Sequence, residues 1–288
     1  EKIISRSKDF IDSGIWSGIS YGDLDTWFGC FSGEMDQFLA AKLLDRLVYR
    51  STDQTIAMVK QIFHRKLPEL LVNTGFNQFR TDWLEILSDS AHDAKLKYET
   101  RIVPIIRDSD PPTKSGPALA RLYRRALGFN ERLMVWPWMI TESIKKGVKL
   151  FLLIDDFLGT GNQFVKFYKK NKLDLACSQT IFVYLPLAAH HDGLEKIRIE
   201  CPNVLVGTAE QLPRDPHFAF SRMGNGICAE DARNQYLNSI ARNIDIKEEF
   251  KLGYGQLATT YAFQHATPNS TIPIFWASGP SFYPLLRR

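Results

Sequence analysis

Two consecutive carboxylates followed by a glycine-bracketed threonine are the residues of this chain best suited to chemistry. Residues 151–163 read FLLIDDFLGTGNQ: four large apolar residues, then Asp155 and Asp156, then Gly159, Thr160 and Gly161. An apolar run ending abruptly in charge fits a strand buried on both faces of a parallel sheet, and open α/β sheets bind ligands at the carboxyl end of such strands. Neighbouring residues on an extended backbone point to opposite faces, so the two carboxylates suit a pair of adjacent hydroxyls better than a paired clamp on one small metal ion. The Gly-Thr-Gly turn lets successive backbone N–H groups converge on an anion at the start of a following helix. A vicinal diol beside a phosphate describes a ribose 5-phosphate. The same letters also fit an acidic strand end and an ordinary glycine turn of a doubly wound domain that binds no phosphosugar.

The elements that would position these groups begin near residue 100. Strands are expected at 101–106, 133–136, 148–154, 180–187 and 204–206, with helices at 116–127, 138–146, 163–170 and 195–200. Strands alternating with helices argue for an α/β fold with a doubly wound, mainly parallel sheet. Before it, apolar residues at helical spacing predict helices over 36–49, 55–63 and 79–87. The aromatic opening of Trp16, Tyr21, Trp27, Phe28 and Phe31 reads as core packing for those helices, since the interleaved cations of a nucleic-acid stacking platform are scarce there. The organisation expected is a helical region 1–98, an α/β core 99–212 and a C-terminal helical and loop segment 213–288 packing on the core.

In order and type, residues 151–163 resemble the phosphoribosyl pyrophosphate signature of type I phosphoribosyltransferases. The shared pattern is apolar strand, acidic pair, two variable residues, a small residue, Thr-Gly and a polar pair. The resemblance implies the type I phosphoribosyltransferase fold with helical additions at both ends. Asp155 and Asp156 would bind the ribose hydroxyls, and Gly159, Thr160, Gly161, Asn162 and Gln163 would cradle the 5-phosphate. Mg2+ would accompany the diphosphate. Gln163 departs from the family, which has Thr or Ser there. Residues 107–116, RDSDPPTKSG, occupy the place of the family's pyrophosphate loop, so Arg107, Lys114, Ser115 and Gly116 are candidate diphosphate ligands. An exposed Pro-containing connection with Ser115 as helix N-cap fits equally. The flexible hairpin that covers many type I sites has no room between Gly116 and Asp155. A cover would have to come from the helical N-terminus, the C-terminal segment or a partner chain.

The segment TPNSTIPIFW, with YPLLRR after a short loop, resembles the C-terminal pattern of phosphoribosyltransferase-like domains of bacterial conflict systems, retron-linked antiphage operons included. That likeness implies a defence effector or regulatory subunit. Its partners would be other operon products, such as a reverse transcriptase with its DNA, or a DNA-binding or ATPase subunit. His265, Asn269 and Thr271 in the polar turn 265–271 are candidates for an acceptor site, or a capped turn that packs the tail. Three readings stay open: an enzyme using phosphoribosyl pyrophosphate or cleaving a nucleotide, a non-catalytic sensor of such a ligand that gates a partner, and an interaction subunit with a vestigial pocket.

Several classes are disfavoured. With 44% hydrophobic and 24% charged residues in 288, the chain has the composition of a folded domain, and its formal charge of +4 is too small to argue for nucleic acid. Four cysteines without a C-x-x-C pair indicate neither a zinc site nor a disulfide framework, which points to the cytoplasm. No apolar run reaches the ~20 residues of a membrane span, and no signal-peptide core opens the sequence. The triplet His190-His191-Asp192 lacks further ligands at metal-site spacing and reads as a helix start capped by Asp192, so no metal ligand is assigned with certainty.

Overall fold

Two long apolar strands carry the architecture, because a parallel sheet must bury both faces and only continuous apolar runs can line it. A computed structural model describes residues 1–76, 83–106, 115–176, 178, 180–215, 218–221, 223–224 and 226–286. Its five-stranded sheet contains β1 (Thr100–Pro104), β2 (Leu150–Leu158), β3 (Ile181–His190), β4 (Val204–Val206) and β5 (Glu210–Leu212). The order is β1-β2-β3-β4, all parallel, with β5 pairing the far end of β3. Leu150 stands opposite Thr100 on one side and Ile181 on the other, and the β2–β3 register runs on to Leu158↔Ala189.

The order in which strands are added reverses between β1 and β2. Helix α1 (Ser115–Leu127) packs on both strands and presents Tyr123 edge-on to Phe63 and Phe129, with ring centroids 5.9 and 5.6 Å away. The chain then touches the outer side of β1 through a single parallel bridge, Ile102↔Met134, supported by the Val135 N–H on the Ile102 carbonyl at 2.9 Å. A strand was expected at 133–136. Instead, a 3-10 turn (Glu131–Leu133) precedes the bridge and Pro137 opens another directly after it, and a proline cannot extend a ladder. The chain returns through the short helix Ile140–Lys145, whose Ile140 shares a core with Phe151, Leu153, Phe164, Phe167 and Ile197. Helices α2 (Asn162–Lys170) and α3 (His191–Glu200) pack against each other, and their apolar residues belong to that same core. Outward and return helices on opposite faces make the sheet doubly wound, with the crevice of such folds at the carboxyl ends of β1 and β2.

This sheet lies in a unit of residues 54–214; residues 1–53 and 215–288 form a second. The boundaries differ from the expected 1–98, 99–212 and 213–288. Both chain ends are needed to enclose one hydrophobic core, which joins Trp16, Trp27 and Phe31 to Phe220, Tyr236, Phe275 and Phe282. The Trp27 indole N–H donates to the Ile274 carbonyl at 2.7 Å. Strand Val48–Arg50 pairs in parallel with Tyr261–Phe263. That pairing explains one departure from expectation: the helix expected over 36–49 ends at Leu44. Of the helix expected over 79–87, Trp83–Ser88 is present and 79–82 lie outside the described residues.

Candidate active site

Strand β2 continues past its apolar run, so Asp155 and Asp156 lie within the ladder. Asp155 stands opposite Pro186, and Phe157 and Leu158 still pair with Ala188 and Ala189. Both acids are buried, at 4% and 8% exposure. Each Asp155 oxygen accepts a hydrogen bond: Oδ2 from the Tyr184 hydroxyl at 2.8 Å, Oδ1 from the Asp156 N–H at 3.0 Å. Asp156 Oδ1 accepts from the Phe157 N–H at 2.8 Å. Strand alternation alone would turn the two carboxyls apart, yet they lie within hydrogen-bonding reach of each other. Burial first, and the Asp156 charge second, hold the Asp155 carboxyl well above the usual carboxylate range, while the Tyr184 hydrogen bond pulls the other way. Burial likewise pushes the Tyr184 phenol well up. Its ring stacks on Phe164 of α2, centroids 4.0 Å apart.

The loop after β2 is shaped by close backbone contacts. Gly161, the N-cap of α2, has φ +79°, and a Cβ there would also stand 3.2 Å from the Gly193 carbonyl. Lacking a side chain, this N-cap leaves the helix start open to an anion. Thr160 Oγ1 accepts from the Asn162 N–H at 3.4 Å. Asn162 is half-buried and Gln163 exposed at the head of α2. The first turn of α3 closes on the loop so tightly that a Cβ on Gly193 would lie 2.2 Å from the Gly159 carbonyl oxygen. The Lys196 stem lies along Gly161, and its ammonium pairs with Glu200 at 3.5 Å. Two helix starts, α2 and α3, thus converge on residues 159–161.

Arg107 and Lys114 lie outside the described residues. Ser115 opens α1, and a Cβ on Gly116 would lie 3.0 Å from the Ile105 carbonyl oxygen, so the start of α1 lies close against the end of β1. Residues 115–149 hold α1, two 3-10 turns and one short helix, with no hairpin. His190 rather than Asp192 caps α3: its Nδ1 accepts from the Asp192 N–H at 3.2 Å, and burial lowers the imidazole pKa. Asp192 pairs instead with Arg214 at 3.1 Å. His265, Asn269 and Thr271 belong to the other unit. His265 and Asn269 are exposed, whereas Thr271 is fully buried and donates to the Tyr261 carbonyl at 2.5 Å.

Sequence reasoning passed over Tyr184, Tyr123, Gly193 and Lys196. A signal existed for the first of these, because a tyrosine inside a strand buried on both faces must find a partner for its hydroxyl. The model of one family, PRTase-CE, matches residues 24–288. The chain belongs to the PRTase-CE family. No curated protein matched the sequence. As a phosphoribosyltransferase-like member of PRTase-CE, it carries its acidic pair and glycine loop where the strand order reverses. Among the described residues, no helix is long and apolar enough to cross a membrane.

Proposed function

We propose that this PRTase-CE protein binds phosphoribosyl pyrophosphate, or a related ribose 5-phosphate, and catalyses glycosyl transfer or cleavage as an effector of a bacterial antiphage system. The observation that carries the reading is the juxtaposition, where the strand order reverses, of two buried acids with a glycine loop on which α2 begins and against which the first turn of α3 packs. The acids would hold the 2- and 3-hydroxyls and orient the ring, and the loop N–H groups would bind the 5-phosphate. In transfer, the bond from ribose C1 to the diphosphate oxygen breaks as an acceptor nucleophile bonds to C1. The electron pair leaves with pyrophosphate, and positive charge develops on the sugar.

Among the described residues, no three His, Cys, Asp or Glu side chains are grouped to hold an ion. Mg2+ arriving with the diphosphate would neutralise leaving-group charge. Partners would be other products of the defence operon, such as a reverse transcriptase with its DNA, or a DNA-binding or ATPase subunit. The setting would be cytoplasmic.

A second reading, a non-catalytic sensor whose bound ligand gates a partner, is favoured by one feature. Residues 115–149 supply no covering hairpin to exclude water from a transferring sugar. The test is to measure binding and pyrophosphate release with Mg2+-phosphoribosyl pyrophosphate, with Asp155→Asn and Asp156→Asn as controls. Release abolished in both variants supports the enzyme. Binding without release, with partners added, supports the sensor. Absence of binding refutes both.

A further inference from the structure

We infer that Tyr184 is a positioning residue for the acidic pair: from the neighbouring strand its hydroxyl fixes the orientation of the Asp155 carboxyl. What the pair binds rests on the ribose-phosphate reading above; the geometry of the pair does not.

Both Asp155 oxygens are already engaged by protein donors, the Tyr184 hydroxyl at 2.8 Å and the Asp156 N–H at 3.0 Å. Two hydrogen bonds from two different strands hold the carboxyl in one orientation. Tyr184 is itself immobilised: it is 1% exposed, and its ring lies 4.0 Å from that of Phe164, three residues inside the helix that begins at the glycine loop. The contact chain from Phe164 through Tyr184 to Asp155 therefore ties the start of α2, where a phosphate would sit, to the acidic pair. A phenylalanine would fill the same volume. Among the described residues the hydroxyl bonds to Asp155 alone, and a phenol buried at this depth costs free energy unless bonded.

The groups around Asp155 come from four elements. Asp156 on its own strand raises its pKa, and Tyr184 on β3 lowers it. The Tyr123 hydroxyl of α1 is buried without a hydrogen-bond partner among the described residues, and burial and the two aspartates hold its phenol strongly upward, so it stays neutral. Helix α2 contributes the apolar Phe164. Removing the Tyr184 hydroxyl must then drive the Asp155 titration further upward and leave an acid that can swing.

The experiment compares wild type and Tyr184→Phe in the full chain. Carboxyl NMR of 13C-aspartate-labelled protein follows Asp155, and calorimetry follows binding of Mg2+-phosphoribosyl pyrophosphate. The expected result is an upward move of the Asp155 midpoint and roughly tenfold weaker binding at neutral pH, the equivalent of one hydrogen bond to a charged group. A tyrosine that only fills space would lower the melting temperature and leave the midpoint in place, which overturns the inference. If wild type binds no phosphoribosyl pyrophosphate, the proposed function falls, and the carboxyl titration still decides the role of Tyr184. If Tyr184→Phe does not fold, the slowly exchanging Tyr184 hydroxyl proton is followed in Asp155→Asn. It should move upfield as its acceptor loses charge-bearing character, and an unmoved resonance refutes the assignment.

Discussion

Gly193→Ala probes the tightest contact around the candidate site. The added Cβ would stand 2.2 Å from the Gly159 carbonyl oxygen and 2.9 Å from Leu158 Cγ. An ordinary carbon–oxygen contact is roughly 3.3 Å, so the loop and α3 must separate by about 1 Å. Neither obstacle can yield as a flexible side-chain tip: one is backbone, and Leu158 is 2% exposed within the core. Overpacking of this kind costs about 1–3 kcal/mol of stability. A displacement of ~1 Å in a positioning loop costs on the order of 100-fold in function. Melting curves and calorimetric titration with ribose 5-phosphate measure the two effects. Gly29→Ala is the control, since a Cβ there meets nothing within 4 Å and its φ is ordinary. A Gly193→Ala protein that melts with the wild type and binds within twofold of it would refute the close-packed loop.

Asp155→Asn should be more heat-stable than wild type at neutral pH. The wild-type carboxyl has a raised folded-state pKa, so its stabilising share is complete below the ordinary carboxylate value of about 4 and is lost as pH rises through the folded value. The advantage of the variant should shrink toward pH 4, and parallel stability–pH curves would contradict this. Arg101→Met should cost roughly 2–4 kcal/mol in urea unfolding, because the buried guanidinium donates to the carbonyls of Tyr98 and Thr100 at 2.7 Å and of Lys95 at 2.6 Å. A loss under about 0.5 kcal/mol would show that those carbonyls find other donors.

The sheet was legible where burial on both faces wrote itself into the sequence. Phe151 to Ile154 and the run around residues 181–187 could be read as strands because no amphipathic helix uses such continuous apolar stretches. The end of β2 was misjudged: the polarity of Asp155 and Asp156 suggested a strand end, yet pairing with β3 continues to Leu158, since backbone register and not side-chain charge terminates a ladder. Residues 133–136 looked like a strand for their composition, but Pro137 confines them to one bridge. The pairing of Val48–Arg50 with Tyr261–Phe263 joins segments from opposite ends of the chain, and three-residue strands carry too few residues for their period to be read. In the site, residue types revealed the acids and the glycine turn. Partners supplied through space, such as Tyr184 from β3 and Gly193 from α3, depend on register and helix packing that local spacing does not encode.

The central claim is that one pocket recognises a ribose diol and its phosphate together. Calorimetric titration of wild-type protein with ribose 5-phosphate and with 2-deoxyribose 5-phosphate tests it most directly, because the two ligands differ only in one of the hydroxyls assigned to the acidic pair. Saturable binding of ribose 5-phosphate, with the deoxy sugar at least about tenfold weaker because a buried acceptor loses its donor, is the predicted result. Equal affinity for the two sugars, or binding of neither, would contradict it.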